Sequence, residues 1–174
     1  MDVTSFLGTL AHAIAGLDRP ELRAQLAAAA ARLAACDHVW CTGFGKSARA
    51  ASLLAEDLAT LTVPASFVHG GDLLHGGMGR IEARHGLVLF SDGGKTRELA
   101  QASRAVRATR VLLTASETPA IESDLVVRYA PQPDGPYPLP GATVAQVVLG
   151  RLLSFATAES AQIAPHGLAW AHPA

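Results

Sequence analysis

Four segments of the chain gather residues able to hold an anion or to move a proton. They are "TGFGKS" at 42–47, "VHGGDLLHGGMG" at 68–79, "SDGGKTRE" at 91–98 and "YAPQPDGP" at 129–136. In the first, an apolar run stops at Gly43 and Gly45, Lys46 and Ser47 follow, and an alanine-rich helical pattern begins. A strand, a glycine turn and a helix start commonly hold a phosphate, because the first helical N–H groups point outward without partners. Lys46 is a mobile point charge suited to a phosphate or an oxyanion. Glu98 falls in the first turn of a predicted helix, where the helix dipole favours a negative charge. Histidine is the side chain that titrates near neutral pH, as a proton shuttle must.

Two familiar phosphate binders fit poorly. A P-loop requires GxxxxGK[ST], and its leading glycine would stand at position 40, where this chain has Trp40. The stretch "GFGKSA" satisfies GxGxxA, the dinucleotide fingerprint, which also needs an acid ending the second strand to hold ribose hydroxyls. Here that strand ends at His69, and the nearest acid, Asp72, lies beyond two glycines.

The elements that must carry these segments are legible in the hydropathy. Two alanine-rich helices are expected at about 2–17 and 19–35, the second with Asp18 as its cap and Pro20 in its first turn. Five short apolar runs follow, "HVWCTG", "ASFVHG", "GLVLFS", "RVLLTA" and "DLVVRY", separated by helical stretches. Near-continuous apolar strands alternating with helices predict a parallel sheet buried on both faces. Strands are expected near 38–42, 65–69, 86–91, 110–115 and 124–128, and a last helix near 142–159 follows a proline-dense loop. In such α/β sheets ligands bind beyond the carboxyl ends of the strands, which is where the four segments lie.

Composition narrows the classes. The 174 residues are 49% hydrophobic and 17% charged with a formal net charge of −1, which predicts one domain, 1–174, with helices over 1–36 and the α/β core and tail over 37–174. That balance gives no electrostatic reason to expect nucleic acid or an anionic membrane. The N-terminus reads as a helix and not as a signal peptide, and no apolar run approaches a membrane span. Cys36 and Cys41 are expected as reduced core thiols, and the seven histidines are too scattered to predict a structural zinc. His12, His38 and His85 read as ordinary surface or helix-end residues.

From Val39 to His172 the chain resembles the sugar isomerase (SIS) domain, most closely its arabinose-5-phosphate isomerase branch. The branch has a "GxGKS" turn, here "GFGKS". Its "VHPGEAAHGDLG"-like segment reads "VHGGDLLHGGMG", keeping His69, Gly71, His75, Gly76 and Gly79. Its "SNSGESSE" reads "SDGGKTRE", keeping Ser91, Gly94 and Glu98, and its final "SHPGG" reads "AHPA". The resemblance implies a doubly wound, flavodoxin-like five-stranded parallel sheet with an N-terminal helical pair. It implies aldose–ketose isomerisation of a sugar phosphate through an enediol, with no obligatory metal or organic cofactor. It further implies a cytoplasmic protein that self-associates as a dimer or tetramer. The CBS domains that often follow in this branch are not in this chain.

By the same resemblance the catalytic set is Lys46, Glu98 and His172. The family's second glutamate falls on Gln132, with Asp134 the nearest acid. The substrate-binding set is Gly45, Ser47, His69, His75, Ser91, Gly94, Lys95, Thr96, Gln132, Asp134 and Thr143. His69 and His75 have an alternative role as supports of their own glycine-rich loop, and Asp134 as a turn residue. Where the branch carries phosphate-binding hydroxyls, this chain has Asp92, Gly93, Lys95, Gly141 and Ala142. Asp92 close to a phosphate would repel it, and Lys95 would either offset that charge or bond Asp92. These departures leave open a second reading, a non-catalytic or differently specific phosphosugar-binding regulatory module.

Overall fold

The computed structural model describes residues 3–130 and 141–163. Five parallel strands, β1 (Val39–Gly43), β2 (Ala65–Phe67), β3 (Gly86–Phe90), β4 (Thr109–Thr114) and β5 (Leu125–Arg128), form one sheet in the order β2-β1-β3-β4-β5. The order reverses beside β1, so the crevice above β1 and β3 is the topological switch point of this α/β sheet. The helices are α1 (Val3–Ala15), α2 (Pro20–Ala34), α3 (Gly45–Thr60), α4 (Gly70–Leu73), α5 (Arg97–Ala105) and α6 (Gly141–Ser160). A 3-10 turn spans Gly77–Arg80.

The strands are apolar throughout because both faces of the sheet are covered. Val39, Cys41, Val88, Phe90, Val111, Leu113 and Val127 pack on one side with the buried residues of α2, α3 and α6. Leu87, Leu89 and Leu112 point the other way, against Leu73 of α4 and Leu99 and Ala102 of α5. Alternate residues of one strand therefore serve two cores, the pattern that a near-continuous apolar run encodes.

Several expectations are corrected. Asp18 does not cap α2: Arg19 holds that position without a side-chain cap, and Asp18 pairs with Arg23 one turn into the helix. Pro20 does occupy the first turn, where its missing N–H costs nothing. Strand β2 ends at Phe67, because the chain turns at His69 into α4. Cys41 is buried, but Cys36 is only partly so. Helix α6 is apolar and long enough, at 20 residues, to match a membrane span by length and composition. Its buried side carries Gln146, Ser154 and Thr157 among alanines and leucines and packs on α2 and α3.

His38 and His85 are not isolated surface groups. Their rings lie 5.7 Å apart beside Trp40, at the opening end of the sheet. His85 Nδ1 accepts hydrogen bonds from Trp40 Nε1 (3.2 Å) and from the Glu82 N–H (3.0 Å). His38 Nε2 is buried without a partner. Burial and the neighbouring His85 both lower the His38 pKa.

Candidate functional site

Strand register builds the site. Gly43, Phe90 and Leu113 are paired across β1, β3 and β4, so the three chains leave the sheet side by side. The residues that follow, Phe44, Ser91 and Thr114, mark one edge. A cavity of about 410 Å³ opens there, lined by Phe44, Ser47, Phe90, Ser91, Asp92, Gly93, Lys95 and Thr96. Two aromatic rings form its apolar wall, and three hydroxyls with one cation supply donors.

Both helices that start at the cavity lack a side-chain cap. Phe44 precedes α3 and has no group that could cap it. Thr96 precedes α5 and is a residue type that normally caps, yet its hydroxyl makes no cap bond. Thr96 Oγ1 lies instead 3.0 Å from Ser91 Oγ across the mouth of the loop. A helix leaves its first four N–H groups without intrahelical acceptors, and side chains or ligands must satisfy them. Two uncapped N-termini beside three hydroxyls make an anion pocket by elementary electrostatics.

The turns demand glycine at two points. Gly45 opens α3 at φ +54°, and Gly94 stands at φ +59° in the β3–α5 loop, left-handed conformations that disfavour a side chain. Gly94 is further confined, since a Cβ there would lie 2.7 Å from Pro119 Cβ. Its N–H donates to the Ser91 carbonyl and its own carbonyl accepts from Ala120. The loop is thereby fastened at both its ends.

Ser47, Ser91, Lys95 and Thr96 therefore line one cavity, with Gly45 and Gly94 shaping its turns. Lys46 and Glu98 stand exposed in the first turns of α3 and α5 beside it, outside the lining. Thr143 lies in the first turn of α6, and His75 is exposed after α4. His69 supports its own loop: its Nδ1 accepts the Gly71 N–H at 3.2 Å. Its ring meets Phe44 edge-on at 5.1 Å, which ties the second loop to the first. Gln132, Asp134 and His172 lie outside the described residues. Among the described residues, no group of three His, Cys, Asp or Glu side chains could hold a metal ion.

Sequence reasoning missed two residues behind the loop. The partner of Asp92 is not Lys95: its Oδ1 accepts the Tyr129 hydroxyl at 2.6 Å. Gln146 Nε2 donates in turn to the Tyr129 oxygen at 2.9 Å. The available signal was Gln146 itself, an amide on an otherwise apolar helix face that must find a buried partner.

The SIS domain family model matches residues 32–135 of this chain. A stretch of 58 residues is 40% identical to arabinose 5-phosphate isomerase GutQ of Escherichia coli (strain K12). The match covers 33% of this chain and 18% of the relative, so it spans under a fifth of that protein's length. Among solved structures, a candidate phosphosugar isomerase involved in capsule formation from Bacteroides fragilis superposes with TM-score 0.86 at 18% identity, covering 98% of this chain and 95% of that one. An Escherichia coli CFT073 protein in complex with arabinose 5-phosphate gives TM-score 0.80 at 24% identity, covering 99% and 98%. The Vibrio vulnificus NanR protein complexed with ManNAc-6P gives TM-score 0.75 at 20% identity, covering 96% and 66%. At these identities the structural likenesses establish the fold.

Proposed function

This chain belongs to the SIS domain family, and from that premise we propose that it is a sugar-phosphate aldose–ketose isomerase of the arabinose-5-phosphate type. The observation that carries the reading is the pair of uncapped helix N-termini, α3 and α5, opening on one hydroxyl-lined cavity. Such a pocket suits the phosphate of a small sugar, which Ser47, Ser91 and Thr96 hold with donors while Lys95 supplies charge. Partial identity to GutQ supports the same substrate class.

In this mechanism Lys46 anchors an oxyanion or the phosphate at the start of α3. Glu98 takes the proton from the carbon beside the carbonyl, and the electron pair moves toward the carbonyl oxygen to form an enediol. Returning the proton to the neighbouring carbon completes the exchange of ketose for aldose. His172, assigned by resemblance, moves the proton between the two oxygens. Gln132 can hydrogen-bond a sugar hydroxyl but cannot exchange a proton as a carboxylate does, and Asp134 is the alternative.

The reading includes a cytoplasmic protein that self-associates as a dimer or tetramer. Its support is an apolar groove of about 550 Å³ between α1, α2 and α6, lined mainly by Ile14, Leu17, Leu26, Val148, Leu152 and Ala156. Val3, Leu7 and Phe155 add further exposed apolar surface. A second copy of the chain is the occupant proposed.

One observation favours a second reading, a phosphosugar-binding regulatory module. Asp92 places a carboxylate in the loop where a phosphate would sit. The experiment that separates the two is a turnover assay of the purified chain against a panel of phosphosugars, without added metal, NAD or ATP. Interconversion of a ketose phosphate and its aldose supports the enzyme; binding without turnover supports the module.

A further inference from the structure

Asp92 poses a physical problem that the structure answers. Its carboxylate belongs to the loop that supplies the Ser91 and Thr96 hydroxyls, and it lines the same cavity. A carboxylate left free there repels a phosphate and competes for the same donors. Its Oδ1 is instead engaged by the Tyr129 hydroxyl at 2.6 Å. Its backbone carbonyl accepts from Thr114 Oγ1 (2.8 Å) and from the Ala115 N–H (2.9 Å). Both polar ends of the residue are thus drawn toward β4 and β5.

The tether is built from buried parts. Tyr129 and Gln146 are each 1% exposed. Gln146 sits on α6 between Ala145 and Leu149, in a face where an amide costs free energy unless it is bonded. Its Nε2 donates to the tyrosine oxygen at 2.9 Å, which leaves the phenolic hydrogen directed to Asp92. Burial and the neighbouring carboxylate both push the Tyr129 pKa up, so the phenol remains a donor.

We propose that Tyr129 and Gln146 are positioning residues of the anion pocket, holding the Asp92 carboxylate on the β5 side of the 91–96 loop and so setting the affinity for phosphate. The proposal rests on the phosphosugar reading given above. It assigns Asp92 a compensated charge, so a loop with an acid in its centre still binds an anion.

The test is calorimetric titration of the full chain with inorganic phosphate and with a pentose 5-phosphate. Tyr129→Phe should weaken binding of either by about tenfold, because the carboxylate is released into the pocket. Asp92→Asn alone should stay within about threefold of the unaltered chain, since its charge is already withdrawn. Combining Tyr129→Phe with Asp92→Asn should restore binding to within about threefold. A merely structural tyrosine would not be rescued by removing a charge.

Unchanged affinity in Tyr129→Phe, or a double variant as weak as the single one, overturns the proposal. So does a gain of about tenfold in Asp92→Asn alone, a result that needs no buried substitution to tolerate folding. If the unaltered chain binds neither phosphate nor phosphosugar, the phosphosugar reading falls and takes this one with it. If it binds and the variants do not differ, this proposal alone falls.

Discussion

Ser91 Oγ and Thr96 Oγ1 lie 3.0 Å apart, joining the residue that leaves β3 to the residue that precedes α5. Thr96 thereby gives up the capping bond its side chain would ordinarily make, and the first turn of α5 is left open toward the cavity. Natural sequences break such local rules chiefly at functional sites.

The first prediction follows from that pair. Ser91→Ala and Thr96→Val should each weaken phosphate binding about tenfold, the scale of one hydrogen bond to a charged acceptor. Because the two hydroxyls share a bond, the double variant should lose less than the product of the two single effects. Titration calorimetry on the three variants measures this. Full additivity would show that the hydroxyls act separately.

A second prediction separates the two central glycines of "SDGGKT". Gly94→Ala combines a left-handed backbone with a Cβ 2.7 Å from Pro119 Cβ, and should cost about 2–4 kcal/mol. Gly93→Ala meets open space and should stay within about 0.5 kcal/mol. Denaturant unfolding of both variants decides it, and equal losses would contradict the loop geometry described.

The sheet and its order of elements were readable in advance because each strand is apolar on consecutive residues and the strands alternate with helical periods. Leu87 to Phe90 illustrate this, since all four are buried and they alternate between two cores. The glycine turns were readable for a similar reason: Gly45 and Gly94 answer to local backbone geometry. What could not be read was any relation between distant side chains. Nothing in spacing links Asp92 to Tyr129, 37 positions away, or brings His38 beside His85. Asp18 misled because it is a good capping residue one position too early, and its carboxylate found Arg23.

The third prediction concerns pH. The His38 pKa is lowered in the folded chain from its ordinary 6.5, so the unfolded chain takes up this proton first as pH falls. Its neutral form is favoured by folding. Stability should therefore be complete above about pH 6.5 and decline below it, levelling once the folded-state value is passed. His38→Phe removes both the proton and the unpartnered Nε2, and should flatten that decline in thermal unfolding measured from about pH 7 to 5. A variant with the same slope would locate the titration elsewhere.

The fourth prediction tests the apolar groove. Leu152→Glu places a carboxylate in the groove between α1 and α6, on a side chain that is 43% exposed and outside the buried core. Light scattering coupled to size exclusion should show a dimer or tetramer for the unaltered chain and a smaller species for the variant. A monomer in both cases would remove self-association from the account.

The central claim is that the chain moves a proton between adjacent carbons of a phosphosugar. Incubation with candidate ketose and aldose phosphates in deuterated water, followed by proton NMR at C1 and C2, tests it most directly. The account predicts loss of one of those signals together with interconversion, with Glu98→Gln slowing exchange far more than it weakens binding. Phosphosugar binding with no exchange at either carbon would contradict it.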